Sequence, residues 1–180
     1  MTHTPSHTPA HNPINVLFLC THNSARSILA EAVLNHIGRG RFKGFSAGSS
    51  PRANQQPNPM ALAALQAVGI ATQGLRSRSW DDFAAPGAPQ MDLVITVCDD
   101  AAGEVCPFWP GQPATAHWGY ADPSALAGTD DQRTDAFRLT LLAIKQRLEL
   151  MTSLPAARDH QQPETFRLML QKTARDLAGS

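Results

Sequence analysis

Cys20 closes the apolar run 14–19 and opens Cys20-Thr21-His22-Asn23-Ser24-Ala25-Arg26-Ser27, after which a helical pattern begins. A thiol at the end of a buried strand, ahead of a short loop and a helix, faces the loop's backbone N–H groups and the positive end of the helix dipole. Both favour thiolate. Arg26 adds a planar fork of donors that can hold two oxygens of a tetrahedral oxyanion, while the loop Thr21, His22, Asn23, Ser24 and Ala25 offers amides to the others. The expected unit is a nucleophile inside an oxyanion cradle. The plainer alternative is a structural cysteine ending a strand, since free cysteine is among the most buried residue types. Arg26, Ser27 and the immediate start of a helix weigh against it.

The elements that must hold this unit follow from the hydrophobic pattern. Ile14–Cys20 reads as a buried strand and Arg26–Ile37 as a helix with Leu29, Ala32, Val33 and Ile37 inward, ended by Gly38 and Gly40. Residues 42–47 form a second strand, followed by the loop Gly48-Ser49-Ser50-Pro51, and residues 57–68 a helix that stops at Gly69. A short helix is expected at 80–83. Residues 92–97 are nearly all apolar, as in a strand covered on both faces, and Cys98 follows. A last strand is expected at 115–118. Thr129 and Gln132 form a capping box for a long helix to about Met151, with Phe137, Leu141, Ile144, Leu148 and Met151 as its core stripe. Strands separated by helices imply an α/β fold with a parallel sheet between helical layers, where ligands gather at the carboxyl ends of the strands. Cys20 and Cys98 both lie at such ends.

The 180 residues suffice for one domain with a real core, placed at 14–152, plus extensions. A formal charge of zero advertises no basic face for nucleic acid, and no apolar run approaches the roughly 18 residues that span a bilayer. Residues 1–13 repeat His, Pro and Thr without a basic start or apolar segment, so they read as a disordered tail and not an export signal. His3, His7 and His11 have helical metal-ligand spacing, but Pro5, Pro9 and Pro13 exclude the helix. With no export signal and a thiol that must stay reduced, the expected compartment is the cytoplasm. Residues 153–180 divide into a linker and an amphipathic helix with Phe166, Met169, Leu170, Thr173 and Leu177 on one side. Such a face packs on its own domain or docks a partner.

Cysteine, five residues, arginine and serine is the signature of cysteine-dependent phosphatases, and with Asn23 and Ser27 it resembles the low-molecular-weight protein tyrosine phosphatase family in particular. The segment from Cys98-Asp99-Asp100 to Val105-Cys106-Pro107 resembles the redox segment of arsenate reductases built on that fold. The likeness extends to Ser46-Ala47-Gly48, His117-Trp118-Gly119 and Asp122-Pro123, covering about residues 14–151. It implies a three-layer αβα arrangement with a four-stranded parallel sheet of order 2-1-3-4. The strands leading to Cys20 and Cys98 are then neighbours, about 5 Å apart.

The resemblance also implies a reaction. Cys20 thiolate attacks arsenate held by Arg26 and the loop amides, Ser27 hydrogen-bonds the thiolate, and Asp122 protonates the oxygen that leaves as water. Cys98 then attacks Cys20, releasing arsenite, and Cys106 attacks Cys98 to leave a Cys98–Cys106 disulfide for an external reductant. The implied role is arsenic detoxification. No tightly bound cofactor is expected, and the reductant is thioredoxin, or glutathione with glutaredoxin. One departure leaves the donor open: Cys98 and Cys106 lie one residue further apart than the pair in thioredoxin-coupled members. If the stretch between them were helical, their Cα atoms would stand about 12 Å apart, whereas a disulfide needs about 5.5 Å. It must fold back or unwind, and Gly103 and Cys106-Pro107 suit a mobile loop.

Other readings stand beside this one. Cys98, Cys106 and His117 make a poor zinc set with a ligand missing, so no metal is assigned. The two thiols could equally be inert core residues, and Asp122 a turn residue before Pro123. His22 is expected to shape the loop mouth, and Trp109 and Trp118 to pack in the core or wall the pocket. Asn23, Glu31, Ser79 and Asp81 align roughly with potassium-binding positions in some relatives, and no such site is assigned. Two rival functions remain. A tyrosine phosphatase would use Cys20, Arg26 and Asp122, although Ser124 stands where those enzymes usually carry tyrosine. A non-enzymatic redox sensor would use Cys98 and Cys106 alone.

Overall fold

The computed structural model describes residues 12–153 and 163–179. Four parallel strands, β1 (Ile14–Cys20), β2 (Phe42–Gly48), β3 (Leu93–Thr96) and β4 (Ala114–His117), form one sheet in the order β2-β1-β3-β4. This is the 2-1-3-4 order expected. Strand β1 is central and buried on both faces: Val16 and Phe18 point into one core, Leu17 and Leu19 into the other. That two-sided burial is why its sequence is a continuous apolar run.

The helices are α1 (Arg26–Ile37), α2 (Pro59–Ala67), α3 (Asp81–Ala84), α4 (Asp99–Ala102), α5 (Asp130–Thr152) and α6 (Pro163–Asp176). The larger core joins one face of the sheet to α1, α2, α5 and α6, and includes the whole stripe Phe137, Leu141, Ile144, Leu148 and Met151 of α5. The smaller core, on the other face, gathers Phe45, Trp80, Phe83, Met91 and Trp109 around α3. The capping box of Thr129 and Gln132 opens α5 as its residues predict, and the Asn58 side chain caps α2 by accepting from Met60 N at 2.9 Å.

Several boundaries differ from the sequence expectation. The helix expected at 57–68 starts two residues later, because Asn58 is its cap. The last strand begins at Ala114, so Trp118 lies just past it, its N–H bonded to Thr96 O at 2.8 Å. Strand β3 stops at Thr96, and Cys98 is the N-cap of α4. Helix α1 is buried nearly all round, from Ser27 through Leu34, because the sheet, α2 and α5 enclose it; Ile37, expected inward, is only half-buried.

Residues 1–11 of the expected tail and 154–162 of the expected linker lie outside the described residues. Helix α6 packs on its own domain through Leu170 and Ala174, and Leu177, at the start of the 3-10 turn that follows it, packs partly buried beside them. Thr173 is half-buried and Met169 exposed, so the buried stripe is rotated from the expected one; the side chain of Phe166 lies outside the described set. Among the described residues no helix is long and apolar enough to cross a membrane.

Candidate active site

The carboxyl end of β1 delivers Cys20 to the loop 21–25, and α1 begins at once with Arg26. The loop turns back on the thiol through Asn23, whose φ of 53° is a left-handed conformation that asparagine tolerates. Asn23 N then lies 3.2 Å from Cys20 Sγ, and Ser27 Oγ 2.9 Å from it. Gly48, opposite Cys20 on β2, supports the loop from below. A Cβ there would meet Thr21 O at 2.7 Å and Asn23 N at 3.0 Å, so only glycine allows this approach.

The Asn23 side chain fixes the direction of several hydrogen bonds. Its Oδ1 accepts from Arg78 N at 2.8 Å, which assigns both amide protons to Nδ2. Those protons go to Ser27 Oγ at 2.8 Å and Ser46 Oγ at 2.9 Å. Each serine oxygen is thereby an acceptor, and its own proton is free to point onward: from Ser27 to Cys20 Sγ, from Ser46 to Glu31 Oε2. Glu31 Oε1 takes Arg78 Nη2 at 2.8 Å. A continuous polar chain thus runs from Arg78 through Glu31, Ser46, Asn23 and Ser27 to the thiol. Burial still pushes the Glu31 carboxyl up, against the pull of Ser46 and Arg78.

The thiol is 4% exposed. Burial pushes Cys20 up from the ordinary thiol value; the Ser27 hydroxyl opposes this, the nearby Cys98 adds to it, and the Asn23 and Ser27 amides oppose it. The sequence expectation of a favoured thiolate is corrected on this point. It counted the dipole and the loop amides but not the removal of the sulfur from water.

Arg26 reaches across the loop. Its Nη1 donates to Tyr120 O at 2.8 Å and its Nη2 lies 3.5 Å from Asp122 Oδ2. The other Asp122 oxygen accepts from Ser124 N at 3.0 Å and Ser124 Oγ at 2.7 Å, capping the 3-10 turn Pro123–Ala125. Asp122 is therefore both a turn residue and a carboxylate facing the loop's arginine. Cys98 is 1% exposed with its Sγ 3.6 Å from Thr21 Oγ1, one residue from Cys20. All three thiols are free.

Cys20, Asn23, Arg26, Ser27, Cys98 and Asp122 are thus brought together, whereas Cys106 stands exposed on the irregular chain beyond α4. His22 Nδ1 lies 3.0 Å from Ser50 O. Trp109 and Trp118 are core residues. Of the four positions aligned with potassium ligands, Glu31 faces the Arg78 guanidinium, while Ser79 and Asp81 bond each other at 3.3 Å. A cavity of about 600 Å³ adjoins the loop, lined by His22, Ser24, Arg52, Asn58, Asp122 and Ser124 among others, with no phenyl, phenol or indole ring in its wall. The Tyr120 carbonyl and the Arg78–Glu31 pair escaped sequence reasoning. A glutamate within the apolar pattern of α1 was the available signal for the pair.

A parallel sheet of this order, with a Cys-x5-Arg-Ser loop at the end of its first strand, defines a cysteine-dependent oxyanion-handling protein of the low-molecular-weight phosphatase fold. The family described as low molecular weight phosphotyrosine protein phosphatase matches residues 15–161. The arsenate reductase of Halalkalibacterium halodurans is 34% identical over 134 residues, 74% of this chain and 91% of that protein. A solved arsenate reductase in its phosphate-binding state superposes with a TM-score of 0.59 at 28% identity, over 77% of this chain and 96% of that one. A thioredoxin-dependent arsenate reductase of Corynebacterium glutamicum superposes with a TM-score of 0.53 at 25% identity, over 79% of this chain and 65% of that one. The chain belongs to the low-molecular-weight phosphotyrosine protein phosphatase family, and within it to the arsenate reductases.

Proposed function

We propose that the protein reduces arsenate to arsenite by thiol chemistry and that this serves arsenic detoxification. The observation that carries the reading is the second buried thiol: Cys98 beside Thr21, one residue from Cys20. Phosphoryl transfer through Cys20 needs no second thiol, whereas reduction of arsenate does. A cavity wall without a phenyl, phenol or indole ring, and Ser124 after Asp122-Pro123, also favour an inorganic oxyanion over an aryl phosphate.

In the first step the loop amides and Arg26 hold arsenate while Cys20 Sγ attacks arsenic. The Cys20 proton passes to the bound oxyanion, which suits a thiol that burial keeps protonated. Asp122 carries the proton that Cys20 gave to the bound oxyanion on to the departing oxygen, which leaves as water, and so returns to the carboxylate that faces Arg26. Cys98 then attacks Cys20 Sγ, its proton passing to the departing arsenic oxyanion. The arsenic–sulfur bond breaks towards arsenic, which gains two electrons and leaves as arsenite, and a Cys20–Cys98 disulfide remains. Cys106 attacks Cys98, Cys20 is released, and an external dithiol reduces Cys98–Cys106. Thioredoxin is favoured as that donor because a thioredoxin-dependent relative shares the fold; glutathione with glutaredoxin is the alternative. The cytoplasm, which keeps thiols reduced, is the compartment that suits this cycle.

The test is arsenite release from arsenate by the reduced protein, with each recycling system in parallel. Multiple turnover is expected with one of them. Cys98→Ser and Cys106→Ser are each expected to stop turnover while leaving slow hydrolysis of an aryl phosphate. Aryl phosphate hydrolysis without arsenate turnover would move the reading to the phosphatase.

A further inference from the structure

The chain between Cys98 and Cys106 packs Ala101 into the main core and is further tied to the body by side-chain hydrogen bonds on either side of it. At its start His117 Nε2 and Asp99 Oδ1 are 2.9 Å apart, and His117 Nδ1 lies 2.8 Å from Thr96 Oγ1. Past the turn at Gly103, Glu104 Oε1 accepts a 2.8 Å bond from Ser49 Oγ. The second tie lands beside the oxyanion loop. Ser49 follows Gly48, its N–H bonds Cys20 O at 3.0 Å, and the Ser50 N–H bonds Thr21 O at 2.8 Å. A carboxylate belonging to the Cys106 segment is therefore fastened at the rim of a cradle built for anions. Two residues beyond it Cys106 is exposed, next to Val105, which is 94% exposed.

We propose that the Ser49–Glu104 bond is a latch released by substrate: it holds the Cys106 segment in place until an oxyanion fills the loop, whose charge repels Glu104 and frees the segment. Like charges brought together at the rim of the site repel even through solvent, and a single neutral hydrogen-bond donor is a weak hold against that. The latch has a second effect. Partial desolvation by neighbouring atoms and, after it, the Glu104 charge push the exposed Cys106 thiol up, so a Glu104 carboxylate moved away from it also makes Cys106 easier to ionise. This inference rests on the reductase reading for its last step. The freed Cys106 gives its proton to solvent, and its thiolate attacks Cys98 of the Cys20–Cys98 disulfide. The Cys98–Cys106 bond forms, the Cys20–Cys98 bond breaks, and Cys20 leaves as a thiolate with no net change in oxidation. Glu104 is thus a positioning residue, set within the stretch that joins Cys98 to Cys106.

The test uses inorganic phosphate, which fills the loop without being reduced. The reduced full-length protein is alkylated with iodoacetamide, and modification of each cysteine is followed by peptide mass spectrometry. Phosphate is expected to protect Cys20 and to speed Cys106 by roughly two- to fivefold, the range one solvent-screened charge interaction supplies. Glu104→Gln and Ser49→Ala are expected to speed Cys106 without phosphate, which then adds little. Protection of Cys20 with no change at Cys106, or variants that behave as the parent, would overturn the latch. If Cys20 is not protected at all, the cradle itself fails and the latch with it. Failure of arsenate reduction alone leaves the phosphate result standing, so the two ideas are separable.

Discussion

The Cys20 sulfur is under two opposed influences, burial against the hydrogen bonds of Ser27 and the loop amides, and burial prevails. The sign for reactivity follows: with the folded value raised, thiolate is scarce at neutral pH and grows as pH rises towards that value. Alkylation of Cys20 in the phosphate-free protein is therefore expected to increase about tenfold per pH unit through the neutral range. A plateau near neutrality would mean that the loop amides outweigh burial. Ser27→Ala removes the hydroxyl that donates to the sulfur and is expected to shift the profile further towards alkaline pH. Arg26 is the other residue whose chemistry is specific. It holds Tyr120 O and faces Asp122 at once, a geometry a lysine ammonium cannot copy. Arg26→Lys is expected to weaken phosphate binding by about tenfold or more, the value of one charged hydrogen bond. Near-normal affinity by titration calorimetry would remove Arg26 from the cradle.

Among the elements, β2 does more for the site than its sequence suggests, since its last residue lies under the loop. Gly48→Ala would drive a methyl group into the backbone of Thr21, His22 and Asn23, which cannot rotate away. The expected result is a folded protein with phosphate affinity reduced about tenfold or more, because a displaced loop no longer aims its amides at one point. Unchanged affinity would show that the loop has room to shift. The glycine was visible in Ser46-Ala47-Gly48, but its reason was not, because the clash depends on the β1–β2 register, pairing Cys20 with Gly48. Local pattern was enough where local chemistry decides: the apolar run of β1, the capping box and stripe of α5, and the strand–loop–helix junction that carries Cys20 and Arg26. It misjudged α1, where apolar residues on all sides look like one chosen stripe. It also missed the partner of Glu31, since Arg78 lies 47 positions away and only the fold joins them. Cys98 and Cys20 came together in the sequence reading only through the family's strand order.

For the whole molecule, the question is what α6 contributes, since the family match ends at residue 161 and α6 begins at Pro163. It is no loose appendage: Leu170 and Ala174 are in the main core, and the fully buried Trp118 donates its indole N–H to Ala174 O at 2.7 Å. Without α6 that donor loses its partner and the indole meets water. Leu170→Ala is expected to cost about 2–5 kcal/mol, the usual range for such a truncation in a core. Deleting residues 154–180 should do more, because Trp118 leads within two residues to Tyr120, whose carbonyl holds Arg26. The truncated chain is therefore expected to unfold at lower denaturant and, where still folded, to bind phosphate more weakly than Leu170→Ala does. Denaturant melts and phosphate titrations on the two variants separate the effects. Equal affinities would limit α6 to stabilising the fold, and a deletion matching the parent in both measurements would mean that the Trp118 contact carries no weight.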